Sequence, residues 1–303
     1  MKFSLHIPLG EIDPGQFQNM EAIGQMARGL EAANVDACFV TDHPAPMSDW
    51  LHANGHDAID PFTGLAFVAA ASTRLRLHTN IVVLPYRNPF VTAKAAATLQ
   101  VFSGGRLILG VGGGYQKGEF DAIGVDFHKR GALMDEALET MRLAWAGGAV
   151  TRKGINFDAH GVEPRPVPDP QPAIWVGGGS EKAQERAARW GDGWSPFFDA
   201  PTLSKNNRGI ATVADLAAGI RRTKELRAEL GKTAPFDFVV GSRTAGASKA
   251  MTAGPGEADR LIDEIGELAE AGVTWTFAYL GHESRTQFLE NVQWFGEEVR
   301  PKV

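Results

Sequence analysis

The sequence predicts an α/β chain closed into a (β/α)8 barrel with long insertion loops, and three observations carry that expectation. Short apolar runs bounded by glycine or polar turns alternate with segments of helical periodicity along the chain. Eight such pairs can be laid out in order, and strands separated by helices imply a parallel sheet that closes at about 250 residues. No break in composition divides the 303 residues, so one domain over 1–303 is expected. An open doubly wound sheet is the rival arrangement.

The first run, FSLHIP (3–8), precedes a helix whose apolar face carries Phe17, Met20, Ile23, Ala27 and Leu30, close to the 3.6-residue period. ACFVTD (37–42) leads, after a long loop, to a helix near 61–72. LRLHTNIVVL (75–84) is followed by NPFVTAKAAATLQVF, where Pro89 suits a first helical turn. RLILGV (106–111) comes before a helix with Leu133, Ala137, Met141 and Trp145 on one face. AIWVGG (173–178) runs into SEKAQERAARW, and DGWSP (192–196) leads to a helix near 213–230. FDFVVG (236–241) precedes a helix with Leu261, Ile262, Ile265 and Leu268; VTWTFAYL (273–280) precedes one with Phe288, Val292 and Phe295. What remains falls in excursions at 43–60, 147–172, 197–212 and 242–255. Within the second, Lys153-Gly154 between two strand-like runs predicts a hairpin, and the proline-rich end an extended approach to the next strand.

Composition narrows the function. With 44% hydrophobic and 22% charged residues the chain suits an ordinary globular enzyme or binding protein. A net charge of −6 and a pI near 5.8 argue against a nucleic-acid or anionic-membrane surface. The one cysteine, Cys38, cannot make an internal disulfide, which points to a reducing cytoplasm and a small core side chain. MKFSLHIPLGEID reads as a first strand and turn rather than a signal peptide, and no apolar run approaches the roughly 20 residues of a membrane helix. The expected partner is a small molecule.

In a barrel, chemistry sits at the C-terminal ends of the strands. Asp42 and His43 end the second strand, where a carboxylate beside an imidazole can tune proton transfer; the pair can equally be a turn cap before Pro44 and a packed ring. Asn80 and Ile81 form a polar-to-apolar bend in the third strand, and the Asn amide can serve a pyrimidine-like edge or fill a bulge. Arg87 either binds an anion or anchors the following helix. GVGGG (110–114) lets backbone approach a flat ligand, yet it lacks the G-x-G-x-x-G dinucleotide fingerprint, and no Walker sequence exists. Gly177, Gly178 and Gly179 run into a helix with Ser180 as N-cap, an anion site of free N–H groups and positive dipole end. The same glycines also fit a tight strand-to-helix turn, and Glu181 opposes a phosphate. His52 and His56 stand four apart near Asp49, Asp57 and Asp60, but Asn54 and Gly55 weaken a helix there, so no metal is expected. No G-x-S-x-G elbow marks a hydrolase.

VTDH, NIVVLPYRNPF, FSGGRLILGVGGGY, GEFDAIGVDFHKRGALMDEAL, PAIWVGGGSEKAQERAARWGDGW and LIDEIGELAEAGVTWTFAYL run in order across nearly the whole chain. Together they resemble the bacterial luciferase-like monooxygenase superfamily, in particular its coenzyme F420-dependent oxidoreductases. The resemblance implies a barrel with deazaflavin in its mouth, FMN being the alternative. It places Asp42 and His43 beside the ring, and a non-proline cis peptide at Asn80-Ile81 behind it. It assigns Gly177, Gly178, Gly179 and Ser180 to the cofactor phosphate and puts Trp194 on the same rim. Gly112 and Tyr115 belong to the same cofactor-binding set. Tyr115 stands where some sugar-phosphate-oxidising relatives carry a catalytic glutamate, which disfavours such a substrate and leaves His43 as the principal proton-transfer group.

The expectation is therefore a hydride-transferring oxidoreductase with catalytic His43 and Asp42, the latter orienting nearby groups. Loops 43–60, 115–127 and 242–255 would shape the substrate pocket, with Trp50 as a wall. The FMN-dependent monooxygenase keeps the fold and changes the cofactor; a non-catalytic flavin-binding or partner-binding barrel is the third possibility. The resemblance also favours a homodimer.

Overall fold

Each apolar run becomes a strand whose alternate side chains enter two different buried layers. In the computed structural model of the chain, the residues described are 1–10, 13–53, 55–199, 209–245 and 253–303. The strands are β1 (Lys2–His6), β2 (Ala37–Val40), β3 (Arg76–Val83), β4 (Leu107–Gly112), β5 (Val150–Lys153), β6 (Asp158–Val162), β7 (Ala173–Gly177), β8 (Gly193–Ser195), β9 (Asp237–Gly241) and β10 (Trp275–Ala278). Eight of them close in the order β1-β10-β9-β8-β7-β4-β3-β2, all parallel, with Phe3 opposite Thr276 sealing the ring. That closure excludes the open doubly wound sheet. β5 and β6 form the expected antiparallel hairpin outside the barrel, with Lys153 paired to Asp158.

β2 shows the pattern. Ala37 and Phe39 point into the barrel with Ile108, Trp175, Val239, Trp275 and Phe277, while Cys38 and Val40 join the layer beneath the helices. Period-two alternation with both faces buried requires a continuous apolar run, as the sequence has. Cys38 is fully buried, and burial pushes its thiol up to about 12, so it is an inert core side chain. His78 enters the barrel interior, where its Nδ1 lies 3.0 Å from Ser4 Oγ, and burial pulls its pKa down to about 3.

The helices are α1 (Met20–Ala32), α2 (Ser48–Ala53), α3 (Pro61–Ala71), α4 (Pro89–Phe102), α5 (Lys117–Ala122), α6 (Arg130–Trp145), α7 (Glu181–Trp190), α8 (Val213–Glu229), α9 (Ala258–Glu270) and α10 (Arg285–Trp294). Their starts carry local signals: Asn88 caps α4 ahead of Pro89, Ser180 caps α7 and Thr212 caps α8. The short helices α2 and α5 lie in stretches expected as loops. Six residues cannot display a helical period, so neither was legible as a helix. Among the described residues no helix is long and apolar enough to cross a membrane.

Candidate active site at the barrel mouth

The C-terminal ends of the barrel strands surround a cavity of about 830 Å³, within the range of about 300–1,000 Å³ usual for small-molecule and cofactor sites. Its floor is set by a departure from regular pairing. The register of β3 against β4 shifts between Thr79 and Val82, and the Asn80-Ile81 peptide there is cis, as the resemblance implied. The glycines of β4 make room for that irregularity. A Cβ on Gly110 would lie 2.1 Å from the Thr79 carbonyl oxygen, and one on Gly112 would lie 2.0 Å from Ile81 Cδ1. These two glycines thus serve the neighbouring strand directly, beyond the ligand approach read from the sequence. Asn80, Ile81 and Gly112 all line the cavity.

One end of the cavity is cationic. β7 ends in Gly177, and Gly178 takes a φ of 111° that favours glycine. Ser180 Oγ accepts the Ala183 N–H at 3.2 Å and so caps α7. The N–H groups of Gly179, Ser180, Glu181 and Lys182 donate to no acceptor among the described residues. Arg130, Lys182 and Arg186 line this end, with Arg186 held by Asp135 at 2.6 Å and the Arg130 guanidinium 3.9 Å from the Phe127 ring centroid. Glu181 is exposed and lies outside the lining, so solvent screens the repulsion its sequence position suggested. Free helix-terminal donors with three cations have the chemistry of a phosphate site.

Trp194 requires correction. It is fully buried but does not line the cavity. Its strand neighbours Gly193 and Ser195 face inward, so alternation turns Trp194 outward against α8, where a Cβ on Gly219 would meet its ring at 2.5 Å. Its Nε1–H donates to the Gly178 carbonyl at 2.9 Å, so it supports the 177–180 glycine loop from behind.

His43 lines the same cavity, and beside it Asp42 also departs from its expected part. Asp42 is 4% exposed and fully engaged. Arg87 donates Nη1 to Oδ2 at 2.5 Å and Nη2 to Oδ1 at 2.8 Å, and the Val83 N–H donates to Oδ2 at 2.9 Å. Although Asp42 borders the cavity, its lone pairs tie the end of β2 to the last residue of β3 and to Arg87 beyond it. Arg87 accordingly anchors rather than binding a free anion.

The carboxylate that meets His43 is Glu119 on α5, at 3.1 Å from Nδ1. Glu119 is 1% exposed; Tyr86 Oη donates to its Oε2 at 2.9 Å and the Ala45 N–H to its Oε1 at 3.3 Å. Burial first, and the Glu119 carboxylate second, hold the Tyr86 phenol well above its ordinary range, so it remains a donor. Gln116 Nε2 stands 3.3 Å from the same His43 nitrogen. The ring is walled by Trp50 at 4.5 Å, His56 at 5.2 Å and Tyr115 at 6.0 Å between centroids. Burial pushes the Tyr115 phenol up to about 12, leaving it neutral. Sequence reasoning missed Glu119 and Tyr86. The available signal was Gln116 and Glu119 at a helical spacing directly after the glycine turn.

His52 and His56 do not converge: His52 Nδ1 contacts Ser48 Oγ at 3.3 Å, and His56 Nε2 contacts Thr41 Oγ1 at 3.0 Å while lining the cavity. Among the described residues, no group of three or more His, Cys, Asp or Glu side chains is placed to hold a metal. Of the third expected loop, Ser242 and Arg243 reach the lining, where Glu264 binds Ser242 Oγ at 2.9 Å; residues 246–252 lie outside the described set. So do residues 200–208 of the 197–212 excursion.

The sequence profile of the family described as luciferase-like monooxygenase matches residues 1–262. An uncharacterised protein of Mycobacterium tuberculosis is 34% identical over 227 residues, covering 71% of this chain and 74% of the relative. An F420-dependent glucose-6-phosphate dehydrogenase of Kineococcus radiotolerans is 33% identical over 176 residues, covering 57% of this chain and 51% of the relative. Among solved structures, an F420-dependent secondary alcohol dehydrogenase in complex with an F420-acetone adduct superposes with a TM-score of 0.77 at 20% identity, covering 100% of this chain and 98% of that one. The oxygenating constituent of a Pseudomonas putida Baeyer-Villiger monooxygenase in complex with FMN gives 0.74 at 16% identity, covering 100% and 98%.

Proposed function

The chain belongs to the luciferase-like monooxygenase family and is an oxidoreductase, and on that premise we propose that it exchanges a hydride between coenzyme F420 and a small organic substrate. The observation that carries this reading is one cavity lined by both a phosphate-type cradle and a carboxylate-paired imidazole. The residues fit the group: the volume suits a cofactor with substrate, and the free N–H groups beside Arg130, Lys182 and Arg186 suit its phosphate.

A bound deazaflavin supplies a ring carbon that takes or gives the hydride. The protein's part is to orient and to manage the proton. Gly177, Gly178, Gly179 and Ser180 would hold the phosphate, with Asn80, Ile81, Gly112 and Tyr115 along the ring. His43 would hold or release the accompanying proton at Nε2, which has no partner among the described residues. Trp50, tilted against the His43 ring, and Tyr115 would restrict water around it. A homodimer in the cytoplasm belongs to the same reading, and light scattering would then return twice 32.6 kDa.

The test is titration of the purified protein with F420 and with FMN, followed by tryptophan fluorescence. Saturable quenching by F420 is expected. Tight FMN binding without an F420 response would sink the proposal and leave an FMN-dependent monooxygenase. Once a substrate is in hand, His43→Ala is expected to lower kcat by about 10²–10⁴-fold with cofactor affinity retained.

A further inference from the structure

The carboxylate beside His43 in space is not the one beside it in sequence. Both Asp42 oxygens are consumed by Arg87 and the Val83 N–H. Glu119, 76 residues further on, reaches Nδ1 at 3.1 Å. It is set up to receive a proton donor: an ionised carboxylate only accepts, and here it already accepts from Tyr86 Oη and the Ala45 N–H. The Glu119 carboxylate at 3.1 Å is a stronger, charge-assisted partner than the neutral Gln116 amide, whose Nε2 stands 3.3 Å from the same nitrogen, and so makes Nδ1 the protonated nitrogen of the neutral ring and leaves Nε2 with its lone pair.

We infer that Glu119 is a positioning residue which sets the tautomer and orientation of His43, so that Nε2 serves the oxygen of a hydroxyl- or carbonyl-bearing substrate. This rests on the hydride-transfer reading above. In the oxidative direction the substrate C–H bond breaks with its electron pair going to the deazaflavin, the O–H bond breaks with its proton going to Nε2, and the C=O π bond forms. Substrate is oxidised, cofactor reduced, and the imidazolium formed is paired with Glu119 until it gives its proton to water. In the reverse direction the same Nε2–H protonates the oxygen as the carbonyl carbon accepts hydride. Substrates whose reacting centre has no oxygen to protonate gain nothing from this arrangement.

Glu119→Gln keeps the shape and removes the charge. The glutamine oxygen is needed by the Ala45 N–H, which turns the amide NH2 toward His43 Nδ1 and drives the ring proton to Nε2. The imidazole 15N resonances of His43, read in cofactor-free protein, report the tautomer directly. Wild type is expected to carry the proton on Nδ1; a wild-type ring protonated on Nε2 overturns the inference without any variant. Glu119→Gln is expected to move the proton to Nε2 and to lower kcat by about 10²–10⁴-fold with cofactor affinity and substrate KM little changed. Tyr86→Phe removes a neighbour of Glu119 but not its charge, and is expected to keep the wild-type tautomer. An equal tautomer change in Tyr86→Phe, or an unchanged kcat in a Glu119→Gln protein whose tautomer has moved, refutes the positioning role. The tautomer does not depend on which cofactor binds, so failure of the F420 reading and failure of this one are separable.

Discussion

Replacing Asp42 by alanine removes three hydrogen bonds at once and leaves three donors behind, two on Arg87 and the Val83 N–H. Asp42 is 2% exposed in its side chain and Arg87 20%, so the pair is largely withdrawn from water. Breaking such a pair by deleting one partner costs about 3–5 kcal/mol, chiefly because the remaining charge is stranded. Here Arg87 keeps a second contact, Asp60 at 3.6 Å, whose half-exposed carboxylate offsets part of that loss. The Val83 N–H has no replacement and adds the cost of an unsatisfied buried donor. A loss of about 3 kcal/mol follows. With an unfolding entropy of about 2.1 cal/mol/K per residue, the 303 residues give about 0.6 kcal/mol/K, and the thermal midpoint should fall by roughly 5 °C. Scanning calorimetry on Asp42→Ala, Arg87→Ala and the double variant tests the argument. The double variant should lose much less than the two singles together, since each removes the same interaction. A drop below about 1 kcal/mol in Asp42→Ala, or additive losses, would refute the structural role given to Asp42.

Four further outcomes follow from other parts of the molecule. His78 ionises near 6.5 when unfolded and only near 3 when folded, so between those values the unfolded chain binds the proton and the native one does not. Stability complete above pH 6.5 is therefore lost as pH falls toward 3, by at most roughly 5 kcal/mol, and His78→Gln should flatten urea-unfolding stability against pH across that window. Gly110→Ala drives a Cβ against backbone and should abolish soluble expression or sharply lower the midpoint. Gly112→Ala meets only the end of the Ile81 side chain and should fold, with weakened cofactor binding by fluorescence titration. Lys182→Ala should weaken cofactor binding about tenfold at low salt, and less as salt rises, because the exposed cation is screened.

The sequence by itself determined what depends on neighbours a few residues apart. Apolar runs and 3.6-residue faces specified the eight strand–helix units; Asn88-Pro89 and Gly177–Ser180 specified how two helices begin. Strand ends then placed Asp42, His43, Asn80 and the Gly177–Ser180 loop on one rim. Only the tertiary structure decided which of these groups meet. Glu119 lies 76 residues from His43 and Arg87 45 residues from Asp42, and no local periodicity couples positions so far apart. In β8, three residues are too few to reveal which face is inner, so Trp194 turns out to brace Gly178 from the helical layer. The barrel's closure sets those pairings, because it brings strand ends together across the ring and turns adjacent side chains to opposite faces. Asp42 and His43 thus share a dipeptide and border one cavity but have different partners: Arg87 and the Val83 N–H for one, Glu119 for the other.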